Sequence, residues 1–197
     1  MSDNLPLFPL GTVLFPGGRI PMRIFEPRYV DLVSHCMRTE SGFGIVGIRS
    51  GRETGPTPEF HDIGVIANIE HWDQGNDGLL HIVAVGTARF EVKSFRVQED
   101  GLALAEVDVL ETEKPAPTDD TFAPLRELLK KAYAEHPEVA PPRPWSDEDA
   151  NWLAYRLAEL MPLTVQQRVD LLRAPSADDR LSAVAAWLTG PDDSQSD

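Results

Sequence analysis

Apart from one helical stretch near residues 27–39, the first 110 residues have the apolar pattern of strands, and the period becomes helical after that. The alternation is clearest at residues 102–111, where Ala105, Val107 and Val109 face one way and Glu106 the other. In the C-terminal part, apolar residues recur three and four positions apart, as an amphipathic helix requires. Strands followed by helices predict an α+β fold with a β-rich N-terminal unit and a C-terminal helical bundle.

The first apolar stretch, Leu5–Tyr29, is divided into strand-length runs by five prolines. Because proline is confined to edges, strand starts and bulges of sheets, the stretch is predicted to run along sheet edges, with a turn at residues 15–18. A helix then begins at Pro27 and ends near Thr39. Its predicted buried stripe consists of Tyr29, Leu32, Val33, Cys36 and Met37.

The central part of the chain has the pattern of a hairpin and a meander. Residues 61–73 and 79–86 flank a loop that contains Asp-Gly, a frequent hairpin turn. A further strand is predicted at residues 89–98, and the change of phase at Ser94 indicates a bulge. The strand at 102–111 follows after a glycine turn.

Short cap motifs predict where the C-terminal helices begin. Ser146 precedes one helix, Thr164 with Gln167 forms a capping box for the next, and Ser176 with Asp179 begins the last. The predicted domains are a barrel at residues 1–111, a linker at 112–120, a helical bundle at 121–190 and a disordered acidic tail at 191–197.

Composition narrows the class of function. The 197 residues carry a net charge of −14, and an acidic chain repels phosphate backbones, so nucleic acid is an unfavoured partner. The single cysteine excludes an internal disulfide. The N-terminus lacks the pattern of a signal peptide, and no apolar run is long enough to cross a membrane. The expectation is a cytoplasmic protein without a cofactor.

Three sequence patterns resemble the N-terminal substrate-binding domain of Lon-type ATP-dependent proteases. The longest combines LPLFPL, VLFPGG and IPMRIFEPRY within Leu5–Tyr29, and weaker matches are GTARFEV at residues 86–92 and the pair Arg180-Leu181. The resemblance implies a PUA-like β pseudo-barrel with one inserted helix, followed by a helical bundle. It also implies that the chain recognises unfolded or degron-bearing polypeptide.

The chain differs from complete Lon proteases in its motifs. It contains no Gly-x-x-x-x-Gly-Lys-Ser/Thr loop for nucleotide phosphates, and none of its four lysines lies in a Ser–Lys protease context. The expectation is a stand-alone, non-enzymatic polypeptide-binding module that acts as an adaptor or chaperone, with an AAA+ protease or chaperone as partner. Two alternatives stay open: an RNA-binding PUA-like module, and an enzyme with a small-molecule cleft between barrel and bundle.

The polypeptide contact is predicted around the turn at residues 15–18. The predicted contact residues are Phe15, Met22, Arg23, Phe25 and Trp72. Arg89 is predicted to be structural, as a bidentate partner for a carboxylate such as Glu26, with a grip on a peptide carboxylate as the alternative.

Other candidate chemistry is weak. If Asp73 pairs with Leu79, then His71 lies opposite His81, but the ligand set for zinc is incomplete, so no metal site is predicted. No arrangement of nucleophile and base is evident, so no catalytic residue is predicted. Trp145 follows a proline-rich segment, and either fills the joint between the two units or anchors a partner.

Overall fold

A computed structural model describes residues 2–189 and confirms the α+β class. The predicted tail at 191–197, and Gly190 before it, lie outside the described residues. Within residues 2–189 there are six strands and five α-helices. They are β1 Ser2–Leu10, β2 Arg19–Ile24, α1 Pro27–Thr39, β3 Phe43–Ser50, β4 Glu59–Gln74, β5 Leu80–Val97, β6 Ala103–Val109, α2 Ala123–Glu135, α3 Ala150–Leu160, α4 Val165–Arg173 and α5 Ala177–Thr189.

The six strands form one sheet in the order β2-β5-β4-β3-β1-β6, and β5 also pairs with β6. The second pairing closes five of the strands on themselves and leaves β2 at an edge. Neighbouring strands are antiparallel except for β1 and β3, which are parallel. The architecture is therefore a pseudo-barrel with an appended edge strand rather than a clean barrel.

The long strand β5 corrects the prediction of two strands at 79–86 and 89–98. It is continuous for 18 residues. Its first part pairs with β2 and β4, and its last part pairs with β6. The predicted bulge is present, since the β5–β6 register shifts between Val92 and Ser94. One long strand can thus belong to both the edge and the closing seam of the sheet.

Alternation along the strands builds the core of the β-rich unit. In β6, Ala103, Ala105 and Val107 are buried while Glu106 is exposed, as predicted; Val109, at the strand end, is exposed. One core cluster lies between β1, β3, β5 and β6. Its buried members are Leu5, Leu7, Val46, Phe90, Ala103, Ala105 and Val107.

Helix α1 follows the predicted pattern. Pro27 lies in its first turn, where the missing N–H costs nothing. Tyr29, Leu32, Val33 and Cys36 are buried on one face, and the chain leaves the helix through a left-handed residue after Thr39.

The chain divides into two compact units. Among the described residues, the first contains those up to Thr112 together with Thr164–Leu172, and the second contains Glu113–Leu163 and those from Arg173 onward. Helix α4, up to Leu172, therefore belongs with the β-rich unit although it lies among the helices in sequence. The predicted domain boundaries at 111 and 121 stay a prediction.

The predicted capping motifs at α4 and α5 are present. The hydroxyl of Thr164 accepts from the backbone N–H of Gln167 at 3.2 Å, and the Gln167 side chain accepts the N–H of Thr164 at 2.9 Å. Ser176 accepts the N–H of Asp179 at 3.1 Å. The expected cap at Ser146 is wrong, because Asp149 caps α3 through the N–H of Asn151.

Candidate functional site

A cavity of about 380 Å³ lies beside the edge strand β2 in the first unit. Its lining is mainly apolar, and its charged groups lie at the C-terminal end of β2 and in the loop after β3. The lining residues are Phe8, Leu10, Thr12, Ile20, Pro21, Met22, Arg23, Ile24, Phe25, Glu26, Tyr29, Glu53 and Thr54. A cleft of this size, apolar with a few polar groups, is typical of a ligand site.

Strand alternation and a helix position the apolar lining. Met22 and Ile24 are buried while Pro21 and Arg23 are exposed, so one face of β2 turns toward the core. Opposite, the ring of Tyr29 from α1 stacks on Phe8 from β1, with ring centroids 3.9 Å apart. The apolar part of the cavity wall is thus held by a sheet and a helix.

The hydrogen bond just before β2 shows which backbone groups of β2 face β5 and which face away from it. The N–H of Gly86 donates to the carbonyl of Gly18 at 3.0 Å. Because hydrogen-bonded pairs alternate along antiparallel strands, the backbone groups of Met22 face β5, and those of Pro21 and Arg23 face away from it. Proline has no N–H, so the outer edge of β2 offers few donors to an added strand.

Most charged groups of the cavity already have partners. Glu26 pairs with the buried guanidinium of Arg28 at 2.8 Å, and Arg23 pairs with Asp77 at 2.5 Å. Glu53 accepts the backbone N–H of Gly11 at 2.6 Å. Burial raises the pKa of Tyr29, although the nearby Arg28 opposes that shift. The cavity is therefore apolar inside, and the charged side chains at its rim are paired with neighbouring groups.

The structure brings together part of the predicted contact set. Met22, Arg23 and Phe25 line the cavity, and the Phe25 ring is 56% exposed. Phe15 does not contribute an exposed surface, because it is fully buried. Trp72 is 54% exposed and does not line the cavity. It pairs with Ile82 of β5, which on its other side pairs with Met22 of β2. Contact of these residues with polypeptide stays a prediction.

Several lining residues were missed from the sequence, above all Phe8, Tyr29 and Glu53. Phe8 and Tyr29 were available as apolar members of their strand and helix, but only their tertiary stacking places them at the cavity. Glu53 lies in a polar loop that sequence indicates only as irregular. Such residues carry no local signal of their position.

Arg89 has a partner different from the predicted one. Its guanidinium donates to the backbone carbonyl of Leu172, near the C-terminal end of α4. Glu26 instead pairs with Arg28. This hydrogen bond connects β5 to α4 within the first unit, which is compatible with the structural role predicted for Arg89. Its position beside a helix C-terminus also suits a cation.

The predicted pairing of His71 with His81 is wrong. His81 pairs with Asp73, and His71 pairs with Val83, because the hairpin closes with Gln74 opposite Leu80 rather than Asp73 opposite Leu79. No group of three or more metal-ligating side chains occurs within the described residues. In the same part of the chain, no helix is long and apolar enough to cross a bilayer.

Asp77 at the hairpin turn gives a test of the charge arrangement near β2. The backbone N–H of Leu79, followed by Arg23, lowers the pKa of Asp77 from 3.8 to about 2. A lowered pKa stabilises the fold above the unfolded value, so this contribution is lost as the pH falls from about 4 toward 2. We expect Arg23→Gln to raise the pKa of Asp77, as measured by NMR titration of its carboxyl group. The exposed Arg49→Gln is the control, and a parent pKa near 3.8 would contradict the arrangement.

Comparison with known proteins assigns the family. The model of the ATP-dependent protease La (LON) substrate-binding domain matches residues 4–190. The chain belongs to this family. The crystal structure of a Lon N-terminal domain protein from Xanthomonas campestris covers 94% of this chain and 99% of that protein, with 36% identity and a TM-score of 0.79.

Curated Lon relatives are much longer than this chain. The Lon protease of Methylocella silvestris is 27% identical over 95% of this chain, which covers 24% of that protease. The Lon protease of Parabacteroides distasonis is 30% identical over 66% of this chain, which covers 16% of that protease. The matched region thus spans about a quarter or less of these relatives, and it is the substrate-binding part of Lon.

Proposed function

We propose that the protein binds polypeptide and that the cavity beside β2 receives an extended, apolar segment of it. The observation that carries this proposal is an apolar cavity next to an edge strand, within a Lon substrate-binding fold. Extended segments commonly bind along exposed sheet edges, where pockets for alternate side chains select the sequence. The anchors proposed here are Met22 and Phe25, with Arg23 at the rim.

Side-chain anchoring supplies most of the proposed affinity. Pro21 removes a donor from the outer edge of β2, so an added strand would make an interrupted hydrogen-bond ladder. The apolar wall formed by Phe8, Tyr29 and Ile24 has no such interruption. Binding should therefore depend on apolar side chains of the segment more than on its backbone pairing.

We further propose that the protein acts without catalysis, as an adaptor or chaperone in cytoplasmic proteolysis or quality control. Support comes from the family, which is the substrate-binding rather than the catalytic part of Lon. An AAA+ protease or chaperone is the proposed partner. Co-purification from the native cell, with identification of what is retained, tests this step; a retained metabolite with no retained polypeptide would contradict it.

Phe25→Asp is expected to weaken binding of a permanently unfolded model protein by about tenfold, because aromatic anchors dominate interface energies. The measurement is fluorescence polarisation of the labelled model protein. Phe95→Asp is the matched control, since Phe95 is 53% exposed but does not line the cavity.

Equal loss in the two variants would show that binding depends on general surface hydrophobicity rather than on the cavity. Unchanged binding by Phe25→Asp would contradict the proposed anchor. Phe25→Asp should retain the melting temperature of the parent because the Phe25 ring is exposed. Phe95→Asp should lower it slightly, because the Phe95 ring packs against Phe60 with centroids 4.8 Å apart, and circular dichroism checks both variants.

A further inference from the structure

The second unit has a groove of its own, with a volume of about 900 Å³. It lies between α2 and the proline-rich segment that precedes α3. Its lining combines prolines, two aromatic rings, two cations and one carboxylate. The lining residues are Lys130, Tyr133, Ala134, Pro137, Ala140, Pro141, Arg143, Pro144, Trp145 and Asp147.

Trp145 is held in a fixed orientation at this groove. Its indole N–H donates to the carbonyl of Pro141 at 3.0 Å. Its ring also packs against Tyr133, with ring centroids 5.1 Å apart. Since Tyr133 is buried on α2, the indole is anchored to a helix on one side and to the chain of the proline-rich segment on the other. The aromatic surface is therefore preformed.

Arg143 lies over the indole of Trp145, with its guanidinium carbon 4.3 Å from the ring centroid. It is exposed, and among residues 4–189 no carboxylate pairs with it. The other cation of the groove, Lys130, is 3.0 Å from Asp147 and 3.4 Å from Glu127. Arg143 is thus a positioned cation beside a rigid apolar surface, without a carboxylate partner in the part of the chain whose side chains are described.

We propose that this groove binds an acidic polypeptide segment, in which an Asp or Glu side chain lies next to proline or another apolar residue. A guanidinium presents two parallel N–H groups that match a carboxylate, and stacking on an indole holds that fork in place. Proline-rich segments dock on aromatic-lined grooves because their extended conformation costs little entropy to fix. The site is distinct from the β2 cavity in its residues and in its charge.

The proposal takes up one of the two roles expected for Trp145 from the sequence, that of a partner anchor. It does so because Arg143 is exposed and lies over the Trp145 ring. The chain carries 32 carboxylates against 18 Lys and Arg side chains, so attraction of an acidic segment has to come from the local charge of Arg143 and not from the net charge.

Two synthetic peptides test the proposal with the full chain: acetyl-Ala-Pro-Glu-Pro-Leu-amide and its Gln counterpart. Isothermal titration calorimetry measures affinity, and the indole N–H resonance of Trp145 reports the position of binding. We expect the Glu peptide to bind at least about tenfold more tightly than the Gln peptide, as a charge-assisted bond implies. Arg143→Gln should abolish this difference, whereas Arg38→Gln, an exposed arginine on α1, should preserve it.

Three outcomes would overturn the proposal. They are equal affinity for both peptides, an unchanged preference in Arg143→Gln, and no shift of the Trp145 indole resonance. If a single-stranded oligonucleotide bound more tightly than the Glu peptide, Arg143 would be a phosphate contact, and the proposal of an acidic polypeptide would be wrong. Phe25→Asp should leave binding of the Glu peptide unchanged. The proposal for this groove and the proposal for the β2 cavity can therefore be tested independently.

Discussion

Replacing Arg180 with methionine is expected to lower the free energy of unfolding of the second unit by about 3 kcal/mol. Arg180 is fully buried on α5, and its guanidinium pairs with the carboxylate of Glu113. It also donates to the Asn151 side chain at 2.6 Å and to the carbonyl of Ala174 at 2.8 Å. Methionine fills similar volume but leaves these acceptors without their cation.

The loss extends to a network because Glu113 has a second partner. The hydroxyl of Tyr155 on α3 donates to Glu113 at 3.0 Å, and the Arg180 guanidinium lies 5.1 Å from the Tyr155 ring centroid. Urea denaturation followed by tryptophan fluorescence measures the change, since Trp145, Trp152 and Trp187 lie in the second unit.

The control for Arg180→Met is Arg143→Met, which removes an exposed guanidinium from the same unit. It removes the stacking on Trp145 and should change the free energy of unfolding by less than about 1 kcal/mol. Combining Arg180→Met with Glu113→Gln should cost less than the sum of the two single changes, because the partners share one interaction. Additive losses, or a stable Arg180→Met variant, would show that the pair is not a structural centre.

The pair Arg180-Leu181 shows which structural features the sequence predicts and which it does not. Sequence marks it as a family-like pattern on a late helix, and the helix with its Ser176 cap is present. That Arg180 is buried could not be predicted, because its partners Glu113 and Asn151 are 67 and 29 positions away, and no local spacing connects them. Local rules predict elements, whereas buried ion pairs depend on tertiary packing.

The same distinction explains the strands. The β6 alternation and the α1 stripe were predictable because each follows from the period of one element. The β4–β5 register was not, since the hairpin closes with Gln74 opposite Leu80 rather than Asp73 opposite Leu79, which places His71 opposite Val83 instead of His81. Because loop length and turn type fix the register of a hairpin, a different closure of the turn changes every cross-strand pair next to it.

Some residues of the candidate site could be predicted from the sequence, and others could not. The chain around β2 stood out through its prolines and large apolar side chains, and Met22, Arg23 and Phe25 indeed line one cavity. Sequence could not separate Phe15 from Phe8, because both are apolar and both lie close to a proline. The structure separates them, since Phe15 is buried behind the turn while Phe8 lines the cavity.

Gly86→Ala is expected to lower the free energy of unfolding of the first unit by about 3 kcal/mol, the upper range for overpacking. A Cβ atom at Gly86 would overlap the backbone carbonyl oxygen of Phe15 and approach Leu14 Cγ at 3.0 Å. Backbone cannot rotate away as a flexible side chain can. The glycine is needed for close approach of two chain segments, which explains its place in the GTARFEV pattern.

The effect should spread from Gly86 to the edge strand. Gly17 donates to the Gly86 carbonyl at 2.9 Å, and the Gly86 N–H donates to Gly18 at 3.0 Å, so the turn before β2 is fixed to β5 at this point. Displacing the turn would expose Leu14 and Phe15 and move the start of β2. Gly86→Ala should therefore lower both the melting temperature and the affinity for unfolded polypeptide, as measured by calorimetry and polarisation.

Gly11→Ala separates close packing from the general cost of replacing a glycine. Its new Cβ would meet only the Glu53 side chain, at 3.0 Å from a carboxylate oxygen that can move. We expect a change below about 1 kcal/mol for Gly11→Ala. Equal melting temperatures for Gly86→Ala and the parent protein would mean that the turn relaxes freely, and the edge strand would then be less rigidly held than the proposed peptide site requires.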